Sequence, residues 1–229
     1  MRPNGMIVAI DGPVGVGKST VARQLAERLG YIYIDTGAMY RAITLKAMKQ
    51  SLDLSDTAVV AALAQDTQLR FIRYSGALRI LCDGEDVSEA IRLPAVSAAT
   101  SPVADNPGVR ERLVTLQQEM GKAGGIVMEG RDIGTVVFPD AEIKIFLDAD
   151  PAVRARRRYH EFVEKKIETT YEKTLADLLE RDRRDRNRPV GALTMTPESI
   201  RVDTTPFTQN EVVEELYRLV KEYQAENEK

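Results

Sequence analysis

Gly12-Pro-Val-Gly-Val-Gly-Lys-Ser19 decides the fold of this chain, because it is a complete G-x-x-x-x-G-K-S phosphate-binding loop. The apolar run Met6–Ile10 precedes the loop, and apolar residues at helical spacing follow it from Val21 to Leu29. Strand, glycine loop and helix together are the context in which such a loop binds phosphate. Successive backbone N–H groups point at the phosphate oxygens, and the start of the helix favours an anion. The stretch therefore predicts nucleotide binding.

Two side chains of the loop have predicted roles of their own. We expect Lys18 to reach the β- and γ-phosphates of a nucleoside triphosphate, and the Ser19 hydroxyl to bind Mg²⁺. The alternative is a tight strand-to-helix turn with an incidental lysine, which the flanking pattern disfavours. The predicted donor site consists of Gly12, Pro13, Val14, Gly15, Val16, Gly17, Lys18, Ser19 and Thr20.

The composition limits the possible classes of protein. A chain of 229 residues that is 43% hydrophobic and 29% charged is expected to form one α/β domain with a moderate insertion. Its net charge of −3 gives no general attraction to nucleic acid or membrane. One cysteine and one histidine exclude an internal disulfide, a cysteine metal cluster and a Ser-His-Asp triad. Apolar runs are too short to cross a bilayer, so a cytoplasmic protein is expected.

Strand-like and helix-like segments alternate along the chain, which predicts a parallel sheet with helices on both faces. The predicted strands are Tyr31–Ile34, Ile126–Met128, Ile143–Leu147 and Ile200–Val202. The predicted helices are 38–49, 55–65, 107–123, 151–167, 172–187 and a closing helix containing Val212 and Tyr223. Two further β-like runs, Leu69–Tyr74 and Leu78–Asp83, flank a turn at Ser75-Gly76 and predict a small inserted antiparallel unit.

Arginines are grouped where an anionic substrate would meet an α/β sheet. Arg41 and Arg131 follow candidate parallel strands, and two more groups lie at 154–158 and 181–188. Taken singly, the first two could be surface arginines paired with Asp35 and Asp132, and the other groups could be solvated helix faces or a nucleic-acid patch. Phosphoryl transfer between two phosphates, however, needs cations on donor, acceptor and transferring group. The combined pattern favours such a transfer.

With these arginines, the chain resembles the bacterial cytidylate kinases of the nucleoside monophosphate kinase superfamily. Besides the phosphate-binding loop, the resemblance lies in Asp35–Arg41, Glu129–Pro139, Lys144–Asp148 and Arg181–Arg188. It implies an α/β fold: a P-loop NTPase-type parallel sheet with helices on both faces, an inserted antiparallel β unit in the acceptor-binding domain, and a short helical lid. It also implies the domain limits, which are 1–35, 102–150 and 189–229 for the core, 36–101 for the acceptor domain, and 151–188 for the lid.

The resemblance further implies Mg²⁺-assisted transfer of the γ-phosphoryl group of ATP to CMP or dCMP by a monomer. Thr36, Arg41, Arg131 and Arg188 would hold the acceptor phosphate, with Tyr40 in the same site. The cytosine edge would be read by Ser101, Arg110 and Asp132, and the pentose contacted by Arg181 and Asp185. A lid over ATP would include Arg154, Arg157 and Arg158. The catalytic group would be Lys18, Arg131, Arg158 and Arg188.

Several alternatives remain open from the residues alone. Asp11 and Asp148 follow apolar strands and could assist a metal through water or pair with arginines. A kinase for another small molecule, such as shikimate or gluconate, would use the same fold, but the insertion argues against it. A nucleotide-dependent RNA-binding module would use the arginine runs, but the negative net charge argues against it.

Overall fold

The computed structural model describes residues 2–74 and 77–227. The chain divides into two compact units, one formed by Met1–Tyr33 with Ala123–Lys229 and the other by Ile34–Lys122. Residues 102–122, which the sequence analysis places with the core, belong to the second unit, because Val103, Val109 and Leu113 lie in its hydrophobic core. Residues 151–188 belong to the first unit.

A five-stranded sheet forms the centre of the first unit, as the alternating pattern predicts. Its strands are β1 (Ile7–Asp11), β2 (Ile32–Asp35), β6 (Ile126–Gly130), β7 (Ile143–Asp148) and β8 (Ile200–Asp203). They lie in the order β2-β6-β1-β7-β8. β1 pairs in parallel with β6 and β7, so that Val8 lies between Val127 and Ile143. The carboxyl ends of these central strands therefore share one edge of the sheet, where α/β proteins bind their ligands.

Four helices complete the first unit: α1 (Lys18–Leu29), α6 (Pro151–Glu164), α7 (Tyr171–Asn187) and α8 (Gln209–Asn227). The apolar sides of α1 and α8 pack against the sheet through buried residues such as Leu25 and Leu216. α6 and α7 pack against each other. The predicted helices of this unit are confirmed, with ends that differ by up to three residues from the sequence-based limits.

The second unit combines helices with a small antiparallel sheet, which confirms the predicted insertion. Its helices are α2 (Thr36–Lys49), α3 (Thr57–Gln65), α4 (Pro94–Asp105) and α5 (Pro107–Gly121). Its strands are β3 (Leu69–Tyr74), β4 (Ala77–Cys82) and β5 (Glu85–Asp86), in that order. The predicted turn at Ser75-Gly76 lies outside the described residues. α4 was not predicted from the sequence, although Pro94 starts it and Val96, Thr100 and Val103 form a buried stripe at helical spacing.

Within residues 2–74 and 77–227, no helix combines the length and the apolar composition that a bilayer crossing requires.

Candidate active site

The phosphate-binding loop leaves the start of α1 open to an anion. Gly17 is the N-cap residue with φ of 94°, a left-handed conformation that favours glycine, and in the described part of the chain no side chain caps the helix there. The side chains that cap α2, α3, α5, α6 and α7 are Asp35, Asp56, Asn106, Asp150 and Thr170. The first N–H groups of α1 and its dipole therefore fit a phosphate. Of the loop residues, only Ser19 is exposed.

The Lys18 side chain is buried against its own loop. Its Nζ donates to the carbonyl oxygens of Gly12, at 2.8 Å, and Pro13, at 2.7 Å. Burial, followed by the positive charge of Arg131, lowers the pKa of Lys18 to about 7, against the opposing charge of Glu129. The amine is therefore only about half charged at neutral pH, and an adjacent polyphosphate would favour its charged form.

Asp185 joins two of the predicted acceptor arginines. Its Oδ2 accepts from Arg131 Nε at 2.7 Å, and its Oδ1 accepts from Arg188 Nη2 at 2.9 Å. The Arg188 and Asp185 side chains are each only 7% exposed. Burial alone would raise the pKa of Asp185, but the charge and hydrogen bond of Arg131, with the charges of Arg181 and Arg188, lower it. The structure thus fixes two guanidinium groups in place through one ionised carboxylate.

The partner of Arg131 differs from the surface alternative considered in the sequence analysis, which was Asp132. Arg131 also donates to the Gly130 carbonyl at 3.2 Å. Its orientation is therefore set by α7, through Asp185, and by the strand β6 that it follows. Burial lowers the pKa of Arg131, but the charge and hydrogen bond of Asp185, together with the charges of Glu129 and Asp182, outweigh burial and raise the pKa. Asp132 is buried next to it, 6% exposed, at the start of a π-helical turn over Ile133–Val137.

Asp11 anchors the backbone that follows Arg131 and Asp132. Its two carboxylate oxygens accept from the N–H groups of Ile133, at 2.9 Å, and Gly134, at 2.8 Å. Burial raises the pKa of Asp11 to about 6, against the lowering effect of these hydrogen bonds. This carboxylate therefore holds the backbone that follows Asp132, and an assisting contact with a metal through water stays a prediction.

Glu129 is a carboxylate of this site to which sequence reasoning assigned no role. It ends the apolar part of β6, is 4% exposed, and accepts a hydrogen bond from Tyr33 Oη at 2.7 Å. Its charge favours the protonated forms of both Lys18 and Arg131. A functional role for Glu129 could have been found from its position, because it is a charged residue at the end of a buried strand and directly precedes Gly130 and Arg131.

The second unit places its own predicted acceptor residues in two pairs. Arg41 Nη2 donates to Asp35 Oδ2 at 2.9 Å, which is the local pairing that the sequence left open. The Arg110 guanidinium lies over the Tyr40 ring, 5.7 Å from its centroid, and Nη1 donates to a backbone carbonyl at 3.3 Å. Arg110 is only 2% exposed. The remaining predicted residues are the buried Thr36, which begins α2, and the half-buried Ser101 on α4.

The three predicted lid arginines all have protein partners on or near α6. Arg154 is buried and donates to the Val14 carbonyl of the phosphate-binding loop at 2.9 Å. Arg157 donates from Nη2 to the Thr204 carbonyl at 2.8 Å, in the connection between β8 and α8. Arg158 lies nearer the surface, paired with Glu161 at 2.7 Å and stacked on Phe162 at 4.5 Å. A contact of these side chains with ATP stays a prediction.

The candidate metal ligand of the site is the Ser19 hydroxyl. Among the described residues, no group of three or more histidine, cysteine or acidic side chains is placed to hold an ion. Asp148 pairs with Arg201 at 2.9 Å, and its assistance to a metal through water stays a prediction. Mg²⁺ usually keeps several waters and binds through substrate phosphates with few protein ligands. The exposed Ser19 hydroxyl in the first turn of α1 fits that mode of binding.

Four of the predicted residues of the first unit thus form one electrostatic cluster. Lys18, Arg131 and Asp185 influence one another's ionisation, and Arg188 shares the Asp185 carboxylate. Buried cations beside an uncapped helix start can hold two phosphate groups and stabilise charge that develops between them. This is the arrangement that a phosphoryl transfer requires.

Two solved kinase structures share the fold of this chain. A gluconokinase from Sinorhizobium meliloti matches with a TM-score of 0.51 at 17% identity, covering 99% of this chain and 97% of that one. A shikimate kinase from Bacteroides thetaiotaomicron matches with a TM-score of 0.50 at 12% identity, covering 94% and 98%. At such low identity these similarities establish the fold alone.

Sequence comparison is more specific. The cytidylate kinase family model matches residues 8–222. A cytidylate kinase from Geobacter sp. strain M21 is 45% identical over all 229 residues, which cover 98% of that protein. Another, from Pelotomaculum thermopropionicum, is 51% identical over 207 residues, with 90% of this chain and 92% of that protein covered. The resemblance found in the motifs is confirmed: the chain belongs to the cytidylate kinase family and is a phosphotransferase.

Proposed function

We propose that this chain transfers the γ-phosphoryl group of ATP to CMP or dCMP, giving ADP and CDP or dCDP. The observation that carries the proposal is the cluster in which Asp185 holds Arg131 and Arg188 near Lys18. Transfer between two phosphates brings negative groups together, which requires cations for both donor and acceptor. Arginine suits the acceptor because its planar fork binds two phosphate oxygens and keeps its charge. Family membership supports a cytosine nucleotide as the acceptor.

On the donor side, the N–H groups of the loop and of the first turn of α1 bind the phosphates of ATP. Lys18 exchanges its contacts with the Gly12 and Pro13 carbonyls for phosphate oxygens. Ser19 is the protein ligand of Mg²⁺, which neutralises phosphate charge when it is bound. The family resemblance implies a lid over ATP that includes Arg154, Arg157 and Arg158, and of these we propose that Arg157 and Arg158 contact ATP from α6.

On the acceptor side, Thr36, Arg41, Arg131 and Arg188 hold the phosphate, as the family resemblance implies. The cytosine edge is read by Ser101, Arg110 and Asp132, the pentose is contacted by Arg181 and Asp185, and Tyr40 supports Arg110. A monophosphate near pH 7 is already an anionic nucleophile, since its second pKa is about 6. Catalysis therefore needs no strong base and consists of positioning and charge stabilisation.

The proposal extends to the setting of the enzyme. We expect a cytoplasmic monomer without a nucleic-acid or membrane partner. The net charge of −3 supports the absence of nucleic-acid and membrane partners. Sedimentation velocity tests the monomer, and a gel-shift assay with RNA at low salt tests the absence of nucleic-acid binding.

An assay of ADP release with CMP, dCMP, UMP, AMP, shikimate and gluconate tests the proposed function. The expected result is the highest kcat/KM with CMP or dCMP. AMP as the best acceptor with CMP inert would overturn the assignment, and turnover of shikimate or gluconate alone would favour the other small-molecule kinases. RNA binding that survives Lys18→Ala and falls steeply with salt would favour the RNA-binding alternative.

ATP binding should take up a proton at Lys18. The pKa of Lys18 is about 7 in the protein alone, and the triphosphate should raise it toward its usual 10.5, so bound Lys18 stays charged at pH 8. Proton uptake should therefore increase as the pH rises from 6 to 8, and ATP affinity should weaken as the pH rises above 7. Calorimetry in buffers of different ionisation enthalpy measures the uptake.

The matched control for this titration is Lys18→Met, which removes the titrating group. ATP and its magnesium complex release or bind protons of their own, and the variant reports that background. The difference in proton uptake between the wild type and Lys18→Met should depend on pH as described for Lys18. An uptake identical in the two proteins would contradict the low pKa of Lys18.

Replacing Asp132 with alanine should weaken discrimination between CMP and UMP by about tenfold or more. Cytosine presents an exocyclic amine that donates to a carboxylate, whereas uracil presents an oxygen that a carboxylate repels. KM for ATP should stay nearly constant, because Asp11 still anchors the backbone after residue 132. Steady-state kinetics with both acceptors measures the ratio, with the exposed Asp177→Ala as control. A loss of ATP binding instead would place Asp132 on the donor side.

A further inference from the structure

The Val14 peptide, at the tip of the phosphate-binding loop, is held on both of its polar groups by one buried ion pair. Its N–H donates to Asp182 Oδ1 at 3.3 Å, and its carbonyl oxygen accepts from Arg154 Nη1 at 2.9 Å. The same Nη1 donates to Asp182 Oδ2 at 2.7 Å. Both carboxylate oxygens and the guanidinium are thus engaged with each other and with a single residue of the loop.

The pair is enclosed by the helices that carry it. The Arg154 and Asp182 side chains are only 2% and 6% exposed, and Arg154 Nε also donates to the Ala149 carbonyl at 2.9 Å. Gly15, with φ of 75°, passes close to both helices: an added Cβ would lie 3.3 Å from the Arg154 carbonyl oxygen and 3.4 Å from Leu178 Cδ1. α6 and α7 therefore lie directly against the loop.

A buried ion pair of this kind is poor evidence for added stability, because desolvation offsets the attraction. Its geometric effect is clear, since it restricts the backbone of Val14 to one orientation. The loop N–H groups bind phosphate only if the backbone is already arranged around it. The Arg154 guanidinium holds the backbone of the phosphate-binding loop, whereas Arg157 pairs with Thr204 and Arg158 with Glu161.

We propose that Asp182 and Arg154 are positioning residues that set the phosphate-binding loop and so determine triphosphate affinity through Val14, without touching the nucleotide. The inference rests on the proposed function only in taking a nucleoside triphosphate as the ligand of the loop. Asp182 lies one helical turn before Asp185, which holds the acceptor arginines. One turn of α7 thus supports the donor site through Asp182 and the acceptor site through Asp185. The effects of Asp182 on ATP binding and of Asp185 on acceptor binding are therefore separable.

Asp182→Asn tests the proposal. The amide keeps the size of the side chain, but it removes the negative charge and turns an N–H₂ group or a weaker acceptor toward Arg154. Kd for ATP, measured by calorimetry without any acceptor, should rise about tenfold or more, while Kd for CMP changes less than about twofold. Arg154→Lys should act in the same direction, because a single ammonium cannot reproduce the fork.

Glu180→Gln is the matched control on the same helix, because the ion pairs of Glu180 within the described residues are exposed pairs with Arg183 and Arg184. Both affinities should be unchanged in that variant. An unchanged Kd for ATP in Asp182→Asn, or equal losses for ATP and CMP, would overturn the proposal. Because ATP binding is measured without an acceptor, this result is independent of whether CMP is the true substrate.

Hydrogen exchange of the wild-type enzyme gives a test that needs no folded variant. The Val14 amide should exchange much more slowly than an amide in an unstructured peptide, because Asp182 accepts its hydrogen. Exchange at the unprotected rate would show that the clamp does not exist in solution and would overturn the proposal.

Discussion

Replacing Lys18 with alanine is expected to lower kcat by at least about 10²-fold, at saturating ATP and acceptor. The variant loses a cation in a buried site, where charge interactions are strong because water is excluded. The charge is directed at the group being transferred, so its loss affects the transition state more than the ground state. Steady-state turnover, with circular dichroism to verify the fold, measures the effect.

Stability should distinguish this loss from simple misfolding. Since the pKa of Lys18 is about 7 in the folded protein and 10.5 for a lysine in water, the unfolded chain binds more protons between these values. The wild type should therefore become more stable, relative to Lys18→Ala, as the pH rises from 7 to 9. Thermal melts at these pH values measure the trend. The surface variant Lys49→Ala, which loses an exposed pair with Glu85, should keep normal turnover. Unchanged turnover in Lys18→Ala would remove Lys18 from the mechanism.

The parts of the fold that could be predicted are those whose determinants are neighbours in the chain. The loop after β1, the start of α1 and the buried strands follow from glycine positions and apolar runs of the sequence. Arg41 and Asp35 are also close in the sequence, so their ion pair was among the alternatives that the sequence offered. α4 was missed because Pro102 lies inside it, and Ser97, Thr100 and Val103 are modest helix formers.

Ion pairs between residues that are far apart in the sequence could not be predicted. Arg131 is adjacent to Asp132 in sequence, yet it pairs with Asp185, which only the packing of α7 brings within reach. The arginine run at 154–158 carries no signal that Arg154 is its buried member. Burial of that one side chain depends on Asp182 and on the path of the loop at Val14. Such contacts depend on tertiary packing and have no local pattern.

Replacing Arg131 with alanine should reduce kcat/KM for CMP by about 10³-fold, which is the largest effect that we expect on the acceptor side. Arg131 is held by Asp185 and by the Gly130 carbonyl, so its guanidinium is already oriented before the acceptor arrives. The variant loses this preorganised charge and leaves the buried Asp185 paired with Arg188. Initial rates over a range of CMP concentrations, at saturating ATP, measure the change.

Arg131→Lys should recover only a small part of this loss. An ammonium restores the charge, but it cannot bind Asp185 and two phosphate oxygens with one planar group. Binding of ATP alone should be altered little in either variant, apart from a higher pKa of Lys18 in Arg131→Ala, where the positive charge is gone. Arg183→Ala is the matched control, because Arg183 is exposed on α7 and pairs only with Glu180 among its described ion pairs. If Arg131→Lys matched the wild type, charge alone would account for the role of this residue, and the orientation imposed by Asp185 would have no part in catalysis.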